Sequence, residues 1–175
     1  MLHFAYGSNM SRAVMREHAP GARPIGVAEL ADHRFVITTD GHASIERMPA
    51  GAVHGVLWRL TPRDRVSLDA WENVAGGLYR AATLPVHRAG RRHMALVYVS
   101  RPLGAGRARA GYMERVIAAA REWKLPEDYV TALQRFLPAR PRDSMIRKSG
   151  KPIFRKDHAP LRKSSPPKRE ECAWT

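Results

Sequence analysis

A short apolar segment near the N-terminus ends in the tetrapeptide Tyr6-Gly7-Ser8-Asn9. A glycine just after a strand lets the backbone turn sharply and approach a ligand closely. Ser8 and Asn9 add small polar side chains beside backbone N–H donors, so this loop is suited to hold a carboxylate or an oxyanion. The same residue types also form ordinary turns, and the tetrapeptide alone does not separate a binding loop from a plain turn.

A second candidate for chemistry is Glu72, which follows Trp71 at the end of a predicted helix and precedes the glycine-rich turn Gly76-Gly77. In a partly dry cleft, desolvation would raise the pKa of this carboxyl group and make it a usable proton shuttle. A solvated glutamate at a helix end is the alternative interpretation. Asp69 is the nearest rival carboxylate, but one helical turn separates it from Glu72, so the two need not act as a dyad.

Runs rich in Val, Ile, Leu and Tyr, separated by Gly, Pro or Asp-Gly, predict six strands. They span residues 2–6, 25–38, 43–48, 53–60, 78–87 and 92–99. Six closely spaced strands favour an antiparallel or mixed barrel-like sheet, and Asp40-Gly41 is typical of a hairpin turn. Strands and helices do not alternate in regular βαβ order, so a Rossmann-type sheet is not expected.

Three helices are predicted among and after these strands. The segment Thr61-Pro62-Arg63-Asp64 combines an N-cap, a proline at the first helical position and an acid at the third, and begins a helix that reaches about Trp71. A longer helix spans about residues 111–123, and another begins at Pro126. Apolar residues recur at helical spacing in both, which indicates faces that pack on the core.

The composition fits one globular domain with an adequate core, since 44% of the 175 residues are hydrophobic. No stretch approaches 18 apolar residues, and the first residues lack a charged segment followed by an apolar one. We therefore expect a cytoplasmic protein without a membrane span. The eight histidines form no HxH or HxxxH set with a carboxylate at metal spacing, so no metal site is predicted.

Residues 140–175 differ in composition from the rest, and we predict a domain over residues 1–139 followed by a basic, proline-rich tail. The tail holds 11 Lys and Arg against 4 Asp and Glu, which is about half of the net charge of +14. Its prolines resist continuous helix or strand, so an extended or partly disordered arm is expected. Weak, non-specific contact with nucleic acid is one interpretation. A solubilising or packed tail is favoured, because no aromatic residues alternate with the charges.

Four segments, taken in order, resemble the γ-glutamylcyclotransferase family. They are Phe4-Ala5-Tyr6-Gly7-Ser8-Asn9-Met10, then Ala43-Ser44-Ile45 ahead of residues 53–60, then residues 67–74 with Tyr79, and finally residues 125–129. Their order and spacing match across about residues 3–137. The resemblance implies a small α+β fold built on a mixed β-barrel with flanking helices, with a cavity between the Tyr-Gly-Ser-Asn loop and the glutamate.

The resemblance also implies a reaction without a cofactor, which releases 5-oxoproline from a γ-glutamyl amino acid or amine. It assigns Tyr6, Gly7, Ser8 and Asn9 to the substrate loop and Glu72 to general acid/base catalysis, with Tyr79 near the site. The glutathione-specific branch carries Tyr-Gly-Ser-Leu, so Asn9 argues against that branch. Asn73 stands where a glycine often follows the family glutamate, and the basic tail has no counterpart that we can align.

Two classes of function remain open from the sequence. One is an enzyme with a small-molecule γ-glutamyl substrate and no membrane partner. The other is a catalytically silent member that uses its basic surface and tail to bind nucleic acid or another polyanion. Glu72 together with the complete Tyr6–Asn9 loop favours the enzyme, whereas the basic tail favours the binding module. The sequence distinguishes neither a catabolic from a biosynthetic role nor the oligomeric state.

Overall fold

The computed structural model describes residues 1–100 and 104–138 of the chain. Within these residues, five strands form a closed barrel: β1 (Leu2–Ala5), β2 (Arg23–Ile37), β3 (Ala43–Arg59), β4 (Tyr79–Arg88) and β5 (Arg91–Ser100). Their order around the barrel is β1-β3-β2-β4-β5. The pairs are antiparallel except for β1 with β5, which is parallel, so the predicted mixed barrel is confirmed.

In the same residues, four α-helices flank the barrel: α1 (Arg12–His18), α2 (Pro62–Trp71), α3 (Tyr112–Glu122) and α4 (Glu127–Gln134). A 3₁₀ turn, Ser8–Met10, joins β1 to α1. The last three helices confirm those predicted from capping and periodicity. The 3₁₀ turn and α1 were not predicted, because α1 buries only Met15 and therefore carries no apolar stripe.

The predicted strands at 43–48 and 53–60 are wrong as separate elements, because β3 runs continuously for 17 residues. The chain between them bends without turning back. Ala50 and Asp32 both have positive φ, 60° and 56°, and the register of β2 on β3 shifts at this point. The Asp32 carboxylate accepts a hydrogen bond from the Ala50 N–H at 3.2 Å, so the irregularity is held within the sheet.

The hairpin turn predicted at Asp40-Gly41 is confirmed between β2 and β3. Gly41 adopts a φ of +77°, and its N–H donates to the Thr38 carbonyl at 2.9 Å. A second tight turn, at Ala89-Gly90, joins β4 to β5, with φ values of 49° and 71°. Positive φ at both central residues is what a tight hairpin requires.

The core lies inside the barrel and under α3. Buried side chains include Phe4 of β1 and Val56 of β3, and the predicted apolar stripe of α3 packs against the barrel. The members of that stripe that are buried are Met113, Val116, Ile117 and Ala120. The Trp123 indole N–H, just after α3, donates to the Met10 carbonyl at 2.7 Å. This contact anchors the turn that follows β1.

The predicted basic tail, residues 140–175, lies outside the described residues, so the domain boundary at residue 139 stays a prediction. Among the residues that the structure does describe, no helix is long and apolar enough to cross a membrane.

Candidate active site

A cavity of about 460 Å³ opens where the loop after β1 faces the end of α2. Its volume is in the range of small-molecule sites. The lining includes every site residue named from the sequence: Tyr6, Gly7, Ser8, Asn9, Glu72 and Tyr79. The fold therefore brings together residues from the first strand, the end of a helix and the start of β4.

The position of Glu72 follows from how α2 ends. Glu72 is the C-cap residue, and its N–H donates to the Leu68 carbonyl at 2.8 Å. The next residue, Asn73, has a φ of +49°, a left-handed conformation that glycine and asparagine adopt at helix ends. Asparagine is thus a physically suitable residue where the family often has glycine. Its side-chain oxygen also accepts the Gly76 N–H at 3.2 Å, which closes the turn.

A hydrogen bond joins the loop after β1 to the end of α2. The Asn9 side-chain amide donates to Glu72 Oε1 at 2.7 Å, and Asn9 itself is buried. Burial raises the pKa of Glu72 to about 7, while the hydrogen bond from Asn9 opposes that rise. A carboxyl group with this pKa populates both protonation states near neutral pH, so it is able to accept a proton and to return it.

The Tyr6-Gly7 segment packs tightly against neighbouring elements. The Tyr6 hydroxyl donates to the Tyr98 carbonyl at 2.5 Å. A Cβ on Gly7 would lie 3.0 Å from the Tyr112 hydroxyl oxygen and 3.3 Å from the Ala43 Cβ, so a side chain here would crowd both. This close approach disfavours a side chain at Gly7, because the neighbouring atoms would have to move to make room for it.

Tyr79 and Tyr112 both form hydrogen bonds with the backbone of Ala43, the first residue of β3. The Tyr79 hydroxyl donates to the Ala43 carbonyl at 2.9 Å, and the Ala43 N–H donates to the Tyr112 hydroxyl at 3.1 Å. Burial raises the pKa of both phenols above the ordinary range. Both tyrosines therefore stay protonated at neutral pH and remain hydrogen-bonding groups in the cavity wall.

Asp69 is engaged elsewhere. It accepts hydrogen bonds from Arg65 Nε at 2.7 Å and from the Tyr98 hydroxyl at 2.7 Å, and it is absent from the residues that line the cavity. Its contacts with Arg65 and Tyr98 give it a structural setting different from that of Glu72. The two carboxylates do not form a hydrogen-bonded dyad among the described contacts, which agrees with their separation by one helical turn.

Several residues that line the cavity were not predicted as site residues from the sequence. Tyr112 and Tyr98 were covered only as parts of a helix and a strand, and His18 lies on the helix that was not predicted. No local pattern identifies them, because the direction of each side chain depends on how its element packs. Within residues 1–100 and 104–138, no group of three or more His, Cys, Asp or Glu side chains is placed to hold a metal ion.

Comparison with known proteins shows which family this chain resembles. The model of the AIG2-like family matches residues 52–133. Over 148 residues the chain is 28% identical to the γ-glutamylcyclotransferase of Mus musculus, covering 78% of this chain and 79% of the relative. For the Homo sapiens protein of the same name, identity is 26% with the same coverage. A solved structure named γ-glutamyl cyclotransferase has a TM-score of 0.75 at 26% identity, covering 79% of this chain and 88% of the other.

The chain is similar to γ-glutamylcyclotransferases in sequence and in fold. The resemblance inferred from the four segments is thereby confirmed, and so is the family's α+β barrel as its fold. The match to the AIG2-like family model includes Glu72 and Tyr79 but begins after the Tyr6–Asn9 loop. In this chain, the loop contacts the matched region through the hydrogen bond between Asn9 and Glu72.

Proposed function

We propose that the protein is a γ-glutamylcyclotransferase that releases 5-oxoproline from a γ-glutamyl amino acid or amine without a cofactor. The observation that carries this proposal is the pairing of Glu72 with Asn9 inside the cavity, where the pKa of Glu72 is about 7. The names of the mouse and human relatives support the same reaction.

In the first step, the α-amine of the substrate attacks its own γ-carbonyl carbon and gives up a proton. Glu72, as a carboxylate, accepts that proton. The new bond joins the α-nitrogen to the γ-carbon and closes a five-membered ring. Because both reacting groups belong to one molecule, the cavity has to hold the bent conformer in which they approach each other.

The carbonyl oxygen gains negative charge as the ring closes. Backbone N–H groups of Gly7, Ser8 and Asn9 are the proposed donors to this oxyanion and to the α-carboxylate. Donors of this kind contribute roughly 2.7–4 kcal/mol each when they are well aimed. The packing of Gly7 against Tyr112 and the anchoring of Met10 by Trp123 support a loop that is rigid before the substrate binds.

In the second step, the bond between the γ-carbon and the amide nitrogen breaks. Glu72, now protonated, returns its proton to the departing nitrogen. The products are 5-oxoproline and a free amine, and the proton taken from the α-amine ends on the leaving amine. One carboxyl group therefore serves both steps, for which a pKa near 7 is well suited.

The decisive experiment replaces Glu72 by glutamine. Glu72→Gln keeps the size and the contact with Asn9 but removes the proton shuttle, so 5-oxoproline release should fall about 10²- to 10⁴-fold. Release is measured by chromatography over a panel of γ-glutamyl amides. Glu114→Gln is the matched control, because Glu114 is exposed on α3 and does not line the cavity. Full turnover by Glu72→Gln would contradict the proposed mechanism.

A catalytically silent binding module is the second candidate function. Two pairs of arginines support it, since Arg23 lies opposite Arg59 and Arg88 opposite Arg91 in the strand registers. Facing like charges destabilise a sheet, and a polyanion would relieve the repulsion. Salt-sensitive binding of an oligonucleotide, together with no 5-oxoproline release from any amide in the panel, would favour this candidate over the enzyme.

A further inference from the structure

An aromatic pair lies at the rim of the cavity. Trp71, the last residue of α2, is stacked on His18, the last residue of α1, with ring centroids 3.6 Å apart and planes 20° from parallel. Both residues line the cavity, and Trp71 is 52% exposed although it is a large apolar residue. We call these two residues the rim pair. The stack holds an accessible indole in one orientation beside Glu72.

The rim pair lies where the leaving amine is expected. The loop and Glu72 are assigned to the γ-glutamyl part of the substrate, and the amide nitrogen has to come within reach of the Glu72 carboxyl. A substituent on that nitrogen therefore starts next to Trp71. Two further apolar residues, Val14 and Leu78, line the same cavity. The cavity therefore offers apolar surface besides the polar loop and Glu72.

Charge at the cavity does not select a charged amine. Glu17 and Arg115 both line the cavity and are both exposed, so they contribute one charge of each sign. Exposed charges are well solvated and discriminate weakly between ligands. The indole face is the more distinctive feature, because a flat ring packs against it in offset-stacked or edge-to-face geometry better than an aliphatic group does.

We propose that the rim pair selects γ-glutamyl amides whose leaving amine carries a flat aromatic ring. This inference rests on the proposed function, because it takes the leaving nitrogen to lie at Glu72. The inference specifies the leaving amine of the substrate. All γ-glutamyl amides share the γ-glutamyl end, so that end does not determine which amine is preferred.

The test compares two amides of similar bulk, γ-glutamyl benzylamide and γ-glutamyl cyclohexylmethylamide. For the wild-type chain, kcat/KM should be about 3- to 10-fold higher for the benzylamide. Trp71→Leu keeps an apolar side chain but removes the ring face, so the ratio should fall to near one, while Trp71→Phe should keep part of it. Val66→Ala is the control, since Val66 is exposed on the same helix and does not line the cavity.

Binding separates this inference from the proposed function. Glu72→Gln should bind both amides without cleaving them, and calorimetry should give the benzylamide about 3- to 10-fold higher affinity. Adding Trp71→Leu to that variant should remove the difference. Equal affinities, no binding of either amide, or a preference that survives Trp71→Leu would overturn the inference. A preference that depends on Trp71, with no 5-oxoproline released by the wild type, would overturn only the proposed function.

Discussion

Burial of Glu72 disfavours its charged form, and it also gives the carboxyl group a pKa suited to acid/base chemistry. Burial is the larger influence and raises its pKa to about 7, and the hydrogen bond from Asn9 offsets only part of that rise. The unfolded chain carries the same carboxyl group at its ordinary, lower pKa. Ionising Glu72 in the folded protein therefore lowers the free energy of unfolding, so the group that is proposed to catalyse the reaction also reduces stability.

This cost predicts a pH-dependent gain in stability for Glu72→Gln. A raised folded pKa contributes stability below the unfolded pKa, and that contribution is lost as the pH rises from about 4.5 to about 7. The neutral glutamine has no such loss. The difference in the free energy of unfolding, variant minus wild type, should therefore be higher at pH 8 than at pH 4 by on the order of 1–3 kcal/mol. Urea denaturation of wild type and variant at both pH values measures this. A constant difference across the range would contradict the buried, perturbed carboxyl.

Helix α2 is the element that delivers Glu72 to the cavity, and its first turn is tied to the loop after α1. The Asp64 carboxylate accepts hydrogen bonds from the Thr61 N–H and the Gly21 N–H, both at 2.9 Å, and Asp64 is buried. Burial alone would raise the pKa of Asp64, but hydrogen bonds from the Thr61 hydroxyl and from these two N–H groups outweigh it and lower the pKa. The helix start predicted from Thr61 to Asp64 is confirmed as a capping box. The hydrogen bond from Gly21 adds a tertiary contact to it.

Asp64→Ala should therefore destabilise the domain by about 1–3 kcal/mol, because it removes the charged acceptor of the hydrogen bonds from the Thr61 and Gly21 N–H groups. The lowered pKa means that Asp64 contributes stability above its unfolded pKa and loses it as the pH falls through the folded pKa, so the effect should fade in strong acid. Chemical denaturation at neutral and acidic pH measures both. Asp128→Ala is the control, since Asp128 is an exposed acid in the first turn of α4 and should matter less.

At the scale of the whole molecule, two pairs of arginines face each other across neighbouring strands of the barrel. Arg23 and Arg59 are partners in the β2–β3 register, and Arg88 and Arg91 are partners beside the β4–β5 turn. The Arg88 guanidinium also donates to the Ile25 carbonyl at 3.0 Å, which ties this turn to the start of β2. The arginine pairs therefore lie near one another, at strand ends that do not line the cavity.

Screening this repulsion should stabilise the protein. Raising the salt concentration from about 0.01 M to 0.15 M shortens the Debye length from about 30 Å to about 8 Å, so Tm should rise over this range. Arg91→Glu replaces one repulsive pair by an attractive one, and should stabilise the low-salt protein by about 0.2–1 kcal/mol while weakening the salt dependence. Calorimetry at both salt concentrations provides the measurement. A Tm that falls on adding salt would show that attractive charge pairs dominate.

Much of the local structure could be predicted from short stretches of sequence. The Thr61–Asp64 capping box begins α2, the Asp40-Gly41 turn joins β2 to β3, and apolar periodicity marks α3. Each depends on backbone preferences and hydrogen bonds among residues close in the chain. The irregularity at Ala50 was misjudged for the opposite reason, since pairing with β2 holds β3 together across a place where the local pattern indicates a break.

The sequence by itself determined most of the strands, three of the helices, the family resemblance and the residue types of the candidate site. Only the tertiary structure decided that Asn9 lies 2.7 Å from Glu72, and that Tyr112 and Tyr98 line the same cavity as Tyr79. The pKa of a carboxyl group depends on how much water surrounds it and on which groups donate to it. For Glu72 both are set by residues far away in the chain, and folding alone brings them together.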